Sequence, residues 1–516
     1  MGAISRLRSI FGLSPAASTR PKAALHEGAS SGRRLSMWSP TSQDINAIHA
    51  GSGGELTRRS RQQGRENPYG ISAKASFAAH LIGTGITPSS KIKSLSKRQA
   101  LNDLWDEWVE EADADGAQDF YGLQATIANE LFVAGECFVR IRRRRTADNM
   151  SVPIQLQLLA AEHLDRSYTT IMSNGRRVVN GIEMDRLGRR RAYHMWRQHP
   201  GSQMKDDQQR IAVPADQILH IFLPQEPGQL RGMPIMAGGL VRMYNLDLYD
   251  DAELERKKVA ALVSAWVTRS DESQAPLPGM DAAEDASGAT DGTSDGVMDY
   301  QWSPGGVHVL PPGEEFNIAD PADVGGSYEA FQYRQLLAIA SSLGIPYAQM
   351  TGDVEKANYS NTRAAMLEQR RRVTQMQRLY IIPQLCKPVW RIWTEAAVLS
   401  GALRGNLNEM QRKVKWIPPR WDWVDPLKDW KAEEIAVNNG FKTRSAVIEG
   451  QGESAEETDE RFADDKEREE RLGLSFGDKA ASEPQEIEDD QQDDDQQDDE
   501  DLPQRGSRPN RERQRA

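Results

Sequence analysis

Residues 331–365, FQYRQLLAIASSLGIPYAQMTGDVEKANYSNTRAA, carry the pattern that decides the fold. Apolar residues recur at helical spacing through residues 328–343, and Gly344 and Pro346 follow them. We predict a helix that ends there, because glycine readily leaves the helical conformation and proline cannot extend it. A second, strongly basic helix is predicted over residues 362–383. The sequence therefore predicts two helices joined by a segment that ends in the mostly polar residues 353–361.

Upstream of this segment, helical and strand patterns alternate. An apolar stripe at helical spacing predicts a helix that faces a core, with the residues Leu101, Leu104, Trp105, Trp108 and Val109. A second helix over residues 118–134 should end at Gly135, and a strand should follow over residues 136–142. The region up to residue 223 reads as β-rich, and residues 232–266 read as one long helix. The fold class predicted is therefore α+β.

Charge is distributed unevenly. The net charge is −12, and residues 483–501 alone carry twelve acidic and no basic residues, so the remainder is neutral. Such a run cannot offset its ordering entropy, and we predict that residues 476–516 form a disordered tail, first acidic and then basic. Residues 270–299, with eight acidic and no basic residues, predict a flexible insertion, and residues 1–65 predict a flexible basic arm. The tail is either solubilising, or it repels DNA or contacts a basic partner.

Motifs for common catalytic and metal sites are missing from the sequence. There is no phosphate-binding loop, no nucleophile elbow and no His-Glu-x-x-His motif, and the eight histidines share no ligand spacing. Two cysteines, Cys137 and Cys386, exclude a disulfide scaffold. No stretch approaches the roughly 20 apolar residues that cross a bilayer. We therefore predict no enzyme, no cofactor, no metal and no membrane contact, although an unrecognised catalytic site stays open.

Arginine clusters are the remaining chemical signal. They occur at residues 140–145, at residues 189–191 and along the helix predicted over residues 362–383. Together they allow contact with a phosphate backbone without sequence readout, since no helix-turn-helix or finger pattern appears. The alternative for each cluster is a solvated face or ion pairs with neighbouring acids. In the basic helix, the candidate phosphate contacts are Arg363, Arg370, Arg371 and Arg372.

Five segments, taken in order, resemble the portal proteins of tailed bacteriophages, in particular the lambda-like family. They are Arg231-Gly232-Met233-Pro234 with the helix after it, residues 310–321 (LPPGEEFNIADP), residues 331–352, residues 358–365 (NYSNTRAA) and residues 416–442. The match covers roughly residues 65–475. The most specific fragment is the Gly-Ile-Pro at residues 344–346, followed by Tyr-Ser-Asn at residues 359–361.

The resemblance implies a portal-type architecture of wing, helical stem, clip and crown in a ring oligomer, with a dodecamer as the expected form. The implied domains are a basic arm (1–65), an α/β wing (66–230), a first stem helix (231–268), a clip with the acidic insertion (269–326), a second stem helix (327–352), a tunnel loop (353–361), a long wing helix with a return segment (362–424), a helical crown (425–475) and the tail (476–516). The acidic insertion and the acidic tail depart from the family pattern.

Function also follows from the resemblance. It implies a ring at one capsid vertex that nucleates procapsid assembly and forms the channel through which double-stranded DNA is packaged and ejected. The implied partners are further copies of the chain, channel DNA, the terminase large subunit, scaffold and major capsid protein, and head-completion or adaptor proteins. The implied location is the host cytoplasm during assembly and then the virion. The alternative is a non-viral oligomeric nucleic-acid-binding protein.

The implied tunnel loop supplies the DNA-facing residues. They are Asp353, Glu355, Lys356, Asn358, Tyr359, Ser360 and Asn361. Each neutralised phosphate contact strengthens DNA binding, so a densely basic lining would retard sliding. One lysine per subunit in a mixed polar loop can touch phosphates without gripping the duplex. The alternative for Lys356 is an ordinary exposed loop lysine.

Overall fold

A computed structural model of the chain describes residues 37, 39–203, 209–262, 265–269, 314–318, 327–355, 359–421 and 426–474. The chain divides into two compact units, Met1–Glu453 and Ser454–Ala516. Helices and antiparallel sheets both contribute, so the α+β prediction is confirmed at that level. The segments predicted as a flexible insertion (270–299) and as a disordered tail (476–516) lie outside the described residues.

Helices from the first third of the chain pack around a cluster of aromatic side chains. The first elements are α1 (Ile45–Glu66), α2 (Pro68–Leu81), β1 (Thr87–Ser90), α3 (Leu95–Glu111) and α4 (Phe120–Val133). Trp105 and Trp108 of α3 are buried, with ring centroids 5.0 Å apart, and Trp105 lies 5.0 Å from both Trp390 and Trp393. This confirms the predicted apolar stripe. The tryptophans join the two ends of the larger unit into one core, since each buries a large apolar area.

Two antiparallel sheets follow α4. The strands are β2 (Glu136–Arg143), β3 (Ile154–Leu159), β4 (Thr170–Ile171), β5 (Arg177–Val179), β6 (Ile182–Met184), β7 (Arg190–Trp196), β8 (Arg210–Pro214) and β9 (Ile218–Phe222). One sheet has the order β3-β2-β9, and the other is a meander from β4 to β8. Gly135, at φ +81°, ends α4 and turns the chain into β2, as predicted. The predicted β-rich region is confirmed.

A pair of helices follows the sheets. They are α5 (Leu240–Leu262) and α6 (Ser327–Leu343), and between them β10 (Ala265–Arg269) pairs with β11 (Glu314–Ile318). Tyr328 and Gln332 of α6 donate hydrogen bonds to the two carboxylate oxygens of Asp250 in α5, at 2.9 and 3.2 Å. These contacts hold the two helices side by side.

The long helix predicted over residues 232–266 is wrong at both ends. Residues 235–238 form a 3-10 turn, and α5 begins only at Leu240. Residues 265–269 are a strand rather than helix, in register with residues 314–318. The sequence AWVTR contains aromatic and β-branched residues that favour strands, and only the distant partner strand reveals the choice. The sequence also predicts a short β pair after the acidic insertion, and its residues 307–310 lie outside the described residues.

The remaining elements include one long helix. They are α7 (Tyr347–Thr351), α8 (Tyr359–Met376), a π-helical segment (Gln377–Cys386), α9 (Lys387–Ser400), α10 (Leu407–Arg412), β12 (Val414–Ile417), α11 (Pro426–Asn438), α12 (Arg444–Gly450) and α13 (Ala455–Leu472). From α8 to α9 the helix is continuous through Pro383. The wider π turns accommodate a proline that would break an α-helix. The basic helix predicted over residues 362–383 therefore continues without a break to Ser400, and α11, α12 and α13 lie within residues 425–475, which the resemblance implies to be helical.

A buried network of charges joins the N-terminal helices to the sheets. Glu136, the first residue of β2, accepts hydrogen bonds from Arg231 Nε at 2.8 Å and from the Gly232 amide at 2.9 Å. His220 Nε2 of β9 lies 3.0 Å from the same carboxylate. Burial alone would raise the pKa of Glu136, but Arg231 and His220 hold that pKa well below its ordinary value. Glu136 is therefore a charged group that the fold surrounds with donors.

The same network extends to α1 and α4. Arg61 donates hydrogen bonds to Glu130 at 2.8 Å and to Glu162 at 2.6 Å. Arg166 Nη2 lies 3.6 Å from the carboxylate of Glu136. Three arginines thus face three glutamates with no net charge, a balance that offsets much of the cost of removing ions from water. The members are Arg61, Arg166, Arg231, Glu130, Glu136 and Glu162.

Two glycines permit the close crossing of backbones beside this network. A Cβ atom on Gly135 would lie 2.1 Å from the carbonyl carbon of Met233, and one on Gly232 would lie 2.0 Å from the carbonyl oxygen of Gly135. No side chain fits at such distances. The Arg-Gly-Met-Pro segment is therefore a packing motif, with its arginine in the ion network and its glycine against β2.

The N-terminal arm predicted over residues 1–65 needs correction, because residues 45–66 are helix α1. His49 is buried and lies 2.8 Å from the Gly232 carbonyl oxygen, and Arg61 belongs to the ion network. Because polar and charged contacts hold α1 in place, its sequence shows little of the apolar periodicity by which a helix is usually recognised. Residues 1–36 lie outside the described residues.

Replacing Arg231 with Met should destabilise the protein strongly. Arg231 is completely buried, and its loss leaves the carboxylate of Glu136 without its main partner. We expect the free energy of unfolding to fall by about 3–5 kcal/mol, measured by urea denaturation. Arg58→Met is the control, because that side chain is 76% exposed, and it should cost less than about 0.5 kcal/mol. Equal effects of the two changes would contradict this role of the network.

Mild acid should also destabilise the protein. Burial lowers the pKa of both His49 and His220 from 6.5 to about 4. Between pH 6.5 and pH 4 the unfolded chain binds protons that the folded chain does not. The free energy of unfolding should therefore decrease as the pH is lowered, by at most about 1.4 kcal/mol per pH unit for each imidazole. Urea denaturation from pH 7 to pH 4.5 measures the slope. His49→Gln should reduce the slope by up to about 1.4 kcal/mol per pH unit, the contribution of one proton. An unchanged slope would contradict the role given to His49.

Candidate nucleic-acid interface

The segment before the predicted tunnel loop is fixed by its glycines and by burial. Gly344, at φ +71°, ends α6, Ile345 is buried, and Pro346 is the N-cap residue that precedes α7. Gly352, at φ +76°, ends α7. A Cβ atom on Gly344 would lie 2.7 Å from Arg372 Nη1, so α8 packs closely over this turn. The Gly-Ile-Pro motif thus fixes the junction between α6 and α7, and with it the point at which the loop begins after α7.

Asp353 is held at the start of the loop. Its carboxylate accepts hydrogen bonds from the Tyr347 hydroxyl at 2.9 Å and from the Glu355 amide at 3.0 Å. Burial and this hydrogen bond to Asp353 raise the pKa of Tyr347 to about 12. Asp353 therefore caps the turn, whereas Val354 and Glu355 are exposed.

The other predicted loop residues fall into two groups. Lys356 and Asn358 lie outside the described residues, whereas Tyr359, Ser360 and Asn361 form the first turn of α8. The loop predicted over residues 353–361 is therefore too long at its C-terminal end. No Gly or Pro interrupts residues 359–376, so the helix extends one turn further towards the N-terminus than the basic pattern indicated.

The four predicted phosphate contacts of α8 lie in two environments. Arg363 lies 3.7 Å from Asp429 of α11, and the Arg370 guanidinium lies over the Trp421 ring, 5.5 Å from its centre. These two arginines tie α8 to other elements. Arg371 and Arg372 are 83% and 54% exposed, and each lies 3.7 Å from Glu368.

The structure therefore favours Arg371 and Arg372 over Arg363 and Arg370 as accessible cations. Their shared neighbour, Glu368, reduces the local positive charge. Such a surface can touch a phosphate backbone weakly, because fewer neutralised phosphates give weaker binding.

In the arginine cluster at residues 140–145, Arg142 donates a hydrogen bond to Gln157 and Arg144 donates one to Gln155.

Sequence reasoning missed the aromatic side of α8. His80 stacks with Trp421 at 6.0 Å, and both line a cavity of about 570 Å³ together with Met366 and Arg370. Trp421 is far from Arg370 in sequence, so no spacing pattern links them. The only signal was the Trp-rich segment that begins at Trp416.

The described part of the chain contains no group of three or more His, Cys, Asp or Glu side chains arranged to hold a metal ion. Within the same residues, no helix is long and apolar enough to cross a membrane.

Comparison with known proteins gives the family. Residues 31–377 match the model described as phage portal protein, lambda family, and the chain belongs to this family. A probable portal protein of Halomonas phage phiHAP-1 is 26% identical over 432 residues, which cover 81% of each chain. Portal protein B of Escherichia phage lambda is 21% identical over 482 residues, which cover 85% of this chain and 89% of that protein. The predicted membership of the lambda-like portal family is confirmed.

Solved structures resemble the chain more distantly. A chain from the neck of a native GTA particle, computed with C12 symmetry, has a TM-score of 0.45 and 14% identity, covering 87% of this chain and 99% of that one. An HK97-family phage portal protein from Corynebacterium diphtheriae has a TM-score of 0.28 and 11% identity, covering 60% and 84%.

Proposed function

We propose that the chain is the subunit of a closed ring, a dodecamer, at one vertex of a phage capsid. The ring forms the channel for packaging and ejecting double-stranded DNA. The observation that carries this proposal is the match of residues 31–377 to the portal family. Terminase would dock first and head-completion or adaptor proteins later, with scaffold and major capsid protein as assembly partners. The protein would act in the host cytoplasm during assembly and then in the virion.

The architecture proposed for the subunit follows the family pattern. The region from α2 to β9 would form the wing, α5 and α6 the stem, and residues 269–326 the clip. The loop after α7 would line the channel, with α8 and α9 behind it. The helices from α11 to α13 would form the crown.

An exposed apolar stripe on α5 supports assembly into a ring. Val241, Tyr244 and Leu248 are 69%, 55% and 49% exposed, and their spacing of i, i+3 and i+7 places them on one helical face. A helix that pairs with α6 on one side and exposes such a stripe on another can bury it against a neighbouring subunit. Each square ångström of apolar surface removed from water contributes roughly 25 cal/mol.

The proposed DNA contact is weak. Glu355 is exposed near the start of the loop, and Glu368 lies beside both exposed arginines of α8. Alternating charges let DNA move, because few phosphates are neutralised at once. Lys356 would supply one cation per subunit to the channel.

Replacing Leu248 with Asp should prevent ring formation, because a buried carboxylate without a partner would lie in the subunit interface. We expect wild-type protein, with scaffold where needed, to form rings with an axial hole, and the variant to stay monomeric. Negative-stain electron microscopy and mass in solution measure this. Leu254→Asp is the matched control, because Leu254 is 53% exposed on the same helix but lies off the stripe. Rings formed by Leu248→Asp would contradict this interface.

Replacing Lys356 with Ala should leave ring assembly intact and change DNA packaging or retention. The lysine is proposed to touch phosphates during translocation, so its loss removes one weak contact per subunit. Packaged genome length and retention on heating measure the effect. Lys93→Ala, an exposed lysine outside the proposed channel loop, is the control. Normal packaging and retention with Lys356→Ala would contradict the contact.

A further inference from the structure

A cationic cleft lies where the π-helical segment passes into α9. It has a volume of about 610 Å³, and Lys387 and Arg391 of α9 and Arg412 of α10 line it. None of the residues that line this cleft is acidic. We propose that the cleft binds an acidic peptide segment of a protein partner, through carboxylate side chains held by these three cations. This site lies apart from the proposed channel loop in sequence and does not depend on the DNA contact.

Two carboxylates on α10 and α12 already have partners. Glu409 of α10 accepts a hydrogen bond from Lys413 at 2.6 Å. Glu449 accepts one from Lys91 at 3.0 Å and forms an ion pair with Lys415. Three like charges that line one concavity repel each other, and an anionic ligand relieves this repulsion.

Hydrogen bonds between the two helices hold the cleft in shape. Trp390 Nε1 donates to the Met410 carbonyl at 3.0 Å, and the Gln411 amide donates to the Arg391 carbonyl at 3.1 Å. Trp390 is buried in the tryptophan core. The backbones that carry the three cations are therefore already fixed, so binding has to order only their side chains.

The lining favours a peptide over a DNA duplex. Pro383, Pro388 and Val414 contribute apolar groups to the lining, and Asn408 adds an amide. A concave site of this kind accepts single side chains, and arginine pairs with carboxylates in a two-pronged geometry. A DNA duplex presents its phosphates on a convex cylinder. Exposed arginines such as Arg371 and Arg372 can contact such a surface more readily than cations inside a cleft can.

The test uses the full-length protein and a fluorescent peptide with the sequence of residues 483–501, the most acidic segment of the chain. Binding is measured by fluorescence anisotropy at physiological salt. The triple variant Lys387→Gln/Arg391→Gln/Arg412→Gln should weaken binding by at least about tenfold, because each charged contact is lost. The matched control is Arg143→Gln/Arg144→Gln/Arg145→Gln, which removes the same charge from another exposed run. It should weaken binding by less than about twofold.

Other results would overturn the proposal. Equal losses in the two triple variants would mean nonspecific attraction, and no loss in the cleft variant would mean that the peptide binds elsewhere. A short DNA duplex is titrated in parallel. If the cleft variant loses duplex binding while peptide binding is unchanged, the cleft recognises phosphate. Thermal unfolding establishes whether each variant is folded. If the triple variant is not folded, the single variants Lys387→Gln and Arg412→Gln replace it in the binding test.

Discussion

The buried carboxylate of Glu136 is the constraint on which the larger unit depends. An isolated charge in a protein interior costs several kcal/mol, so its surroundings must supply donors from several directions. Arg231 and the Gly232 amide do so from one segment, and His220 does so from β9. These contacts fix that segment and β9 relative to β2, and a shift of either would remove partners that the buried carboxylate needs.

This arrangement also directs the chain into the helix pair. Gly232 can approach β2 only because both it and Gly135 lack side chains. The chain leaves that crossing through Pro234, makes a 3-10 turn and enters α5. The orientation of α5, and with it the exposed stripe proposed to join subunits, is thus tied to the ion network. An arginine, a glycine and a proline in four consecutive positions serve one packing requirement.

The long helix from α8 to α9 has different partners along its length. Near its start, Arg363 and Arg370 contact Asp429 and Trp421, whereas Arg371 and Arg372 remain accessible beside Glu368. Further along, buried Gln377 donates to the Leu81 carbonyl and Gln384 accepts from the Phe222 amide. The π-helical turns bring these amides to α2 and β9. At α9, Trp390 and Trp393 enter the core while Lys387 and Arg391 face the cationic cleft.

Sequence alone determined the features that depend on neighbours in the chain. The stripe of α3, the glycine stop before β2, the β-rich region after it and the Gly-Ile-Pro junction follow from local periodicity and backbone preference, and ordered motifs identified the family. Local patterns could not find α1, whose polar residues gain their partners only after folding. Nor could they show β10, which requires β11 from far along the chain, or which arginines of α8 stay accessible. Tertiary structure decided these points, because charge pairing and strand pairing depend on residues that lie far apart in the chain.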